Sequence, residues 1–537
     1  MGVDGIGRRE LIQRAGGLGG LLALSPVLAG VAEAGAPAAR TGPAPGAVTA
    51  PGGLDVYESI GVRPLINGRG TFTILSGSLM LPEVLEAIDA AARQYVHLDE
   101  LADAVGRRLG ELTGAEFGMV SSGCSAGLGH AAAACTAGGN PDLHIQIPDL
   151  TGFEKTEAII PRHSRNVYEA AVSAIGLTVV EVETRAELES ALGPQTALVY
   201  IMAGPRVDES ELDTATIAEI ARPHGVPVLV DAAAEILTIP NVHLERGADL
   251  VAYSGGKCLR GPQTAGLLLG REDLVRAAWV HSAPHHGYGR GFKVGKEEAI
   301  GMLAAVEMWL RRDHDAEWDQ WTGWLEHIAS TVSTVDGVTT RIVQPEGLSN
   351  RTPSLRVYWD EEQVGLSGAT ASATMYDGEP RIALNSTSGD APGRTGVSIT
   401  PYMMSPGDDK IIARELRALL LDPPEPPEPP RPPAVDVAGT WQVSIEYTAS
   451  SSDAHVLELT QDGADLSGTH TGEFVSREAT GTVSGETVSI RSSYGESHGD
   501  ALSFTFTGTV SGDGTSMSGA LDMGEYLRAT WTATRQA

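Results

Sequence analysis

The sequence predicts an α/β protein built on a mostly parallel sheet and followed by an all-β module, a barrel or a sandwich. Three observations lead there. Short apolar runs such as "TALVYIM" and "PVLVDAA" alternate with helix-periodic stretches between residues 54 and 421, as strands joined by helical crossovers do. The tract "DPPEPPEPPRPPAVD" at 422–436 then interrupts the chain. Beyond it, residues 437–537 hold no lysine, are rich in Thr, Ser and Gly, and alternate polar with apolar residues. That is the pattern of antiparallel strands.

The elements follow in order. Residues 54–330 read as a large domain, with 54–80 as its N-terminal segment. "LPEVLEAIDAAARQYVHLDELADAVGRRLGELTG" has helical spacing and predicts two helices, with Pro82 in a first turn. "FGMVSS" is a strand and "CSAGLGHAAAACTAGG" a helix ended by glycines. Residues 297–330 form a long helical region. Residues 331–421 form a small α+β domain that contains the strand "SLRVYWD" and ends in the helix "DDKIIARELRALL". Residues 422–436 predict an extended polyproline spacer of about 3.1 Å per residue. "GTWQVSIEYT", "HVLELTQDG", "ALSFTFTGTVSGDG" and "RATWTATR" are among about eight strands of a lipocalin- or avidin-like module.

Before all this, residues 1–34 resemble a twin-arginine export signal: Arg8 and Arg9, a Gly- and Ala-rich apolar run, and small residues up to a cut after Ala34. Ser25 and Pro26 interrupt the run, which falls short of the ~20 clean residues a membrane span needs. The expectation is an exported protein, periplasmic or extracellular, or a cytoplasmic one if the leader is not read as a signal. Residues 35–53 are a linker.

Bulk composition narrows the function. A chain of 537 residues, 42% hydrophobic and 20% charged, has material for two or three cores. A formal net charge of −31 argues against a nucleic-acid partner. Three cysteines, Cys124, Cys135 and Cys258, are neither a disulfide framework nor a metal site.

The chain has only five lysines, at 155, 257, 293, 296 and 410. Lys257 stands in "VAYSGGKCLRGPQTAG", after a strand, a serine and two glycines. Gly255 and Gly256 would let the backbone pass close to a ligand. Asp231 ends the strand "VPVLVD", where open α/β sheets bind ligands. "SSGCSAG" at 121–127 offers the backbone N–H groups of Gly123, Cys124 and Ser125 at a strand-to-helix turn, a site for an anion; Ser254 adds a hydroxyl. An anion site, a carboxylate and an amine, in this chain order, match what pyridoxal 5'-phosphate needs.

"INGRGTFTILSGSLMLPEVLEAI", "ELTGAEFGMVSSGCSAGLGHAAAAC", "VDAAAE" and "GADLVAYSGGKCLRGPQTAGLLLG" resemble fold-type I pyridoxal-phosphate enzymes. The branch is that of L-seryl-tRNA(Sec) selenium transferase and its lyase-like relatives, including D-glucosaminate-6-phosphate ammonia-lyase. The resemblance spans about residues 54–421. It implies that Lys257 is the Schiff-base lysine, that Asp231 pairs with the pyridine nitrogen, and that residues 123–125 and Ser254 hold the phosphate. It also implies a homodimer or larger assembly. Nothing before Leu54 could serve as a tRNA-binding region, so the lyase-like branch fits better.

Further candidates surround this core. Thr71, Thr73 and Ser76 in a Gly-rich loop are expected to touch substrate. His285, His286 and Arg290, with Lys293 and Lys296, form a basic cluster read as an anion-recognition loop. His163 is expected over or beside the cofactor ring, and Arg381 at a substrate carboxylate. The expected activity is Cα deprotonation and α,β-elimination on a small anionic amino acid or amino sugar acid. Group transfer, racemisation and aldol cleavage use the same carbanion. A degenerate catalytic fold serving as a surface binding protein is the non-enzyme alternative.

Overall fold

The computed structural model describes residues 56–425, 430–474, 476–493 and 503–536. The expected leader at 1–34 and linker at 35–53 lie outside the described residues, as do positions 426–429 of the proline tract. Residues up to Pro64 form one unit and Leu65–Ala537 a second. In the first, the described residues contain one 3-10 turn, Glu58–Ile60.

The second unit is organised around a seven-stranded sheet. Its order is Phe117–Ser121, Gly266–Gly270, Leu250–Ser254, Val228–Asp231, Thr196–Met202, Glu157–Pro161 and Thr178–Val182. Gly266–Gly270 runs antiparallel to both neighbours and the remaining pairs are parallel. Leu198, Val199, Tyr200 and Ile201 are all fully buried, because a sheet covered on both faces needs continuous apolar strands. The Ala-rich helix Gly123–Ala137 packs on Leu250–Ser254 and Gly266–Gly270 and is buried from Ala126 to Ala137. Its small side chains permit that close approach. Pro82 opens the helix Pro82–Ala92, and Leu98–Thr113 follows.

The long helical region divides at Arg312 into Lys296–Arg311 and His314–Val332. The second helix puts Leu325, Ile328 and Val332 into the core of the small domain, so that domain takes up chain well before residue 331. Its sheet is antiparallel, ordered Asn385–Ser388, Arg394–Ile399, Ser354–Asp360 and Thr339–Val343. Ile66–Asn67 pairs in parallel with Ile382–Ala383, which ties the segment entering the large domain to the small one.

The C-terminal module is a closed eight-stranded antiparallel barrel, each strand beside its sequence neighbour and Gly439–Tyr447 closing on Arg528–Arg535. Closure leaves no sheet edge open. Trp441, Phe506 and Trp531 fill its core. The end of the proline tract is not a free spacer. Ala434 donates its N–H to the Gly485 carbonyl at 2.9 Å, Arg431 N–H donates to Ser484 Oγ at 2.9 Å, and Val435 packs against the barrel core. Prolines deny those positions only N–H donors; the non-proline residues between them supply the bonds.

Candidate active site

The parallel strands place their carboxyl ends along one edge of the sheet, where such sheets bind ligands. Asp231 ends one of these strands and is 4% exposed. Its Oδ2 accepts from the Tyr200 hydroxyl at 2.9 Å, and Oδ1 accepts from the Ala233 N–H at 3.0 Å and from Cys124 Sγ at 3.6 Å. Asn166 Nδ2 donates to the Tyr200 oxygen at 3.1 Å, extending the network. Burial pushes the Asp231 carboxyl above its ordinary value, opposed by the Ala233 and Tyr200 hydrogen bonds and by the Lys257 charge. Burial also pushes the Tyr200 hydroxyl and the Cys124 thiol well up, so both stay protonated as donors.

Asp231 and Lys257 line one cavity of about 960 Å³ between the large and small domains. Thr71 and Thr73 also line it. Thr71 Oγ1 lies 2.7 Å from the Tyr402 hydroxyl, which accepts from Thr71 N–H at 3.3 Å and donates to Asn350 Oδ1 at 3.2 Å. Arg69, Glu235 and Tyr168, which the sequence did not single out, also line the cavity, as do Asn350, Asn385 and Tyr402. Arg69 Nε donates to Asn385 Oδ1 at 2.7 Å, and its guanidinium lies 4.4 Å over the Phe72 ring. Glu235 is buried against His243 Nε2 at 2.7 Å.

These residues fit pyridoxal phosphate on two structural grounds. A buried carboxylate calls for a charge partner, and among the described residues no cation lies within ion-pair distance of Asp231; a protonated ring nitrogen would supply one. The helix Gly123–Ala137 begins at the carboxyl edge with Ser122 making no side-chain cap, which leaves first-turn N–H groups for an anion. Gly123 has φ +80°, and a Cβ there would meet open space; Ser125 is exposed.

Several expectations are revised. Gly255 and Gly256 face protein, not ligand: a Cβ would lie 2.7 Å from the Ala265 carbonyl oxygen or 2.6 Å from Gln263 Cα. The Cys124 side chain serves Asp231, so only its backbone is left for a phosphate. Gly123, Ser125 and Ser254 adjoin the carboxyl edge but do not line the cavity. His163 does not line it either, because its ring nitrogens engage Ser164 Oγ at 2.9 Å and the Leu212 carbonyl at 3.1 Å. Burial lowers its pKa. Ser76 is exposed, at the left-handed end (φ 70°) of the turn Thr73–Leu75.

The basic cluster also lies apart from this cavity. His285 Nδ1 faces the Trp279 and Ser282 carbonyls at 3.1 and 3.0 Å. The His286 carbonyl meets His144 Nε2, and Arg290 is exposed. Arg381 donates to the Tyr376 carbonyl at 3.1 Å and lies 4.7 Å over that ring, on the outside of the small domain.

Comparison with known proteins agrees with this geometry. The aminotransferase class-V family model matches residues 157–289. D-glucosaminate-6-phosphate ammonia lyase of Salmonella typhimurium is 31% identical over 322 residues, covering 58% of this chain and 84% of the relative. 5'-C-glycyluridine monooxygenase-decarboxylase of a Streptomyces species is 32% identical over 385 residues, covering 68% and 92%. L-seryl-tRNA(Sec) selenium transferase of Moorella thermoacetica is 29% identical over 278 residues, covering 47% and 55%. The solved structure of D-glucosaminate-6-phosphate ammonia-lyase superposes with a TM-score of 0.62 at 28% identity, covering 68% of this chain and 98% of that one. The chain belongs to the fold-type I, pyridoxal-phosphate-dependent enzymes of the class-V aminotransferase family.

Proposed function

We propose that the enzyme is a lyase for a small amino acid or amino sugar acid with an anionic group, releasing a substituent from Cβ after loss of the Cα proton. The observation that supports this is the convergence of Lys257, Asp231 and Arg69 on one cavity. Pyridoxal phosphate, when bound, supplies the electron sink that acidifies Cα. Lys257 Nζ holds the cofactor and carries the proton away from Cα. Asp231, fixed by Tyr200, Cys124 and the Ala233 N–H, holds a proton at the pyridine nitrogen. The N–H groups of residues 123–125 and the Ser254 hydroxyl receive the phosphate. Arg69 binds the substrate carboxylate, and Thr71 and Thr73 orient its hydroxyl groups. For a β-hydroxy amino acid the balance is one substrate to one 2-keto acid and one ammonium; the water lost at Cβ is regained when the carbon–nitrogen bond is hydrolysed.

The same reading takes the leader at 1–34 as an export signal and the assembly as a homo-oligomer. Exposed Phe72 and Ile74 in the cavity wall, with exposed Leu79 and Leu85 further along the same stretch of chain, support the second point.

The test is a screen of β-hydroxy and β-substituted amino acids, D-forms included, for keto acid and ammonium. Racemisation alone, or amino transfer alone to an added keto acid, would overturn the elimination reading. Arg69→Gln should raise KM for an acidic substrate about tenfold or more, and less for its neutral analogue. A second reading is oxygen-dependent decarboxylation, because the relative named for that chemistry matches 68% of this chain. Dioxygen uptake with carbon dioxide release, in place of elimination, would select it.

A further inference from the structure

A second cavity, of about 420 Å³, stands back to back with the first. Tyr402 lines both. Elsewhere the wall is one residue thick: Glu235, Lys257 and Asn350 face the first cavity, while their chain neighbours Ile236, Cys258 and Arg351 face the second. The Tyr402 hydroxyl in the shared wall is pinned by Thr71 and Asn350.

The second cavity is unusually aromatic. Four of the chain's eight tryptophans line it: Trp309, Trp318, Trp321 and Trp324. It is also cationic. Arg312 is neutralised by Glu317, at 2.8 and 2.9 Å, and donates to the Cys258 carbonyl at 2.9 Å. Arg260 and Arg351 have no such partner. The Arg260 side chain donates only to the Leu79 carbonyl, at 3.0 Å, and no carboxylate lies within ion-pair distance among the described residues. Burial lowers its pKa, as expected for a cation lacking a close anion. Its backbone is held at φ 55°, a region an arginine rarely adopts. Arg351, on the exposed rim, has one long bond, 3.5 Å, to the Gly347 carbonyl.

We propose that this cavity is a second binding site, for a small molecule with a flat ring and an anionic group. The ring lies among the tryptophans and the anion meets Arg260 and Arg351. The inference does not depend on the reading of the first cavity. Because its wall is the reverse side of the segments bearing Lys257 and Asn350, a ligand there presses on the back of the catalytic cavity.

The experiment is titration of the full chain with 2-naphthoate and its neutral counterpart 2-naphthylmethanol, read by quenching of tryptophan fluorescence and by equilibrium dialysis. The expected result is saturable one-to-one binding that favours the anion. Arg260→Gln and Arg351→Gln should each weaken naphthoate about tenfold while leaving the alcohol unchanged. Trp321→Leu should weaken both, and Arg69→Gln, in the other cavity, neither. If Arg260→Gln fails to fold, the rim variant Arg351→Gln carries the same test. Absence of saturable binding at millimolar probe would overturn the proposal. So would equal affinity for acid and alcohol, indifference to the arginine variants, or loss of binding in Arg69→Gln.

Discussion

The sheet edge around Asp231 and the interior of the C-terminal barrel both bury a line of polar side chains, and the two lines end differently. In the first, Asn166, Tyr200 and Cys124 converge on a carboxylate that borders an open cavity with a lysine in it. In the second, Tyr447, His455, His470 and Ser492 form a row in which each side chain meets the next. The Tyr447 hydroxyl lies 3.1 Å from His455 Nε2, His455 Nδ1 lies 2.9 Å from His470 Nε2, and His470 Nδ1 lies 2.7 Å from Ser492 Oγ. All four ring nitrogens are paired if each residue donates to the next, with both imidazoles neutral. A buried polar line whose groups are spent on one another stabilises a core; one that ends on a cavity has capacity left for a ligand.

The largest effect should come from breaking the open line. Asp231→Asn keeps the side chain's size but removes its negative charge. Turnover should fall about a hundredfold or more, the scale at which an electrostatic contact to the reacting system acts, while the fold persists. Steady-state kinetics on any confirmed substrate checks this, and unchanged turnover would break the comparison.

The second line should respond to acid. Burial holds the His470 pKa down at about 3, with the His455 and Arg477 charges adding to the effect. His455 is lowered by burial and by Arg477, against Glu473. Unfolded histidine takes a proton near pH 6.5, so below that value the unfolded chain binds more protons than the folded one. The stability of neutral His470 is therefore full above about pH 6.5 and lost as pH falls towards 3, at about 1.4 kcal/mol per pH unit. Denaturant titrations of a 430–537 fragment from pH 7 to 4, read by its two tryptophans, measure it. A flat profile would show that the row is not buried and neutral.

A smaller effect sharpens the barrel's boundary. A fragment starting at residue 437 lacks the Ala434 and Arg431 hydrogen bonds and the Val435 contact. It should be less stable than 430–537 by about 1–2 kcal/mol. Equal midpoints in denaturant would mean that the proline tract contributes nothing to the barrel.

What the sequence made legible follows the same division. Lys257 and Asp231 stand out because lysine is scarce and because a strand-end acid has a fixed place relative to the sheet. The barrel was legible because period-two alternation survives wherever one face of a strand is buried. Arg69 was not. Its position depends on Ile66–Asn67 pairing with Ile382–Ala383 and on a hydrogen bond to Asn385 across 316 residues, and local pattern carries no trace of that. His163 and His285 were hard to place for a related reason. A sequence shows them as free rings, whereas His163 is held by Ser164 Oγ and the Leu212 carbonyl and His285 by the Trp279 and Ser282 carbonyls.

The central claim is that Lys257 holds the cofactor in the Asp231 cavity. It is tested most directly by the visible absorption spectrum of purified protein and of Lys257→Ala, each reconstituted with pyridoxal phosphate and treated with borohydride. The account predicts a yellow parent protein that borohydride bleaches with the cofactor fixed to residue 257, and a variant without the protein-linked band. A variant spectrum indistinguishable from the parent's, or fixation at another lysine, would contradict it.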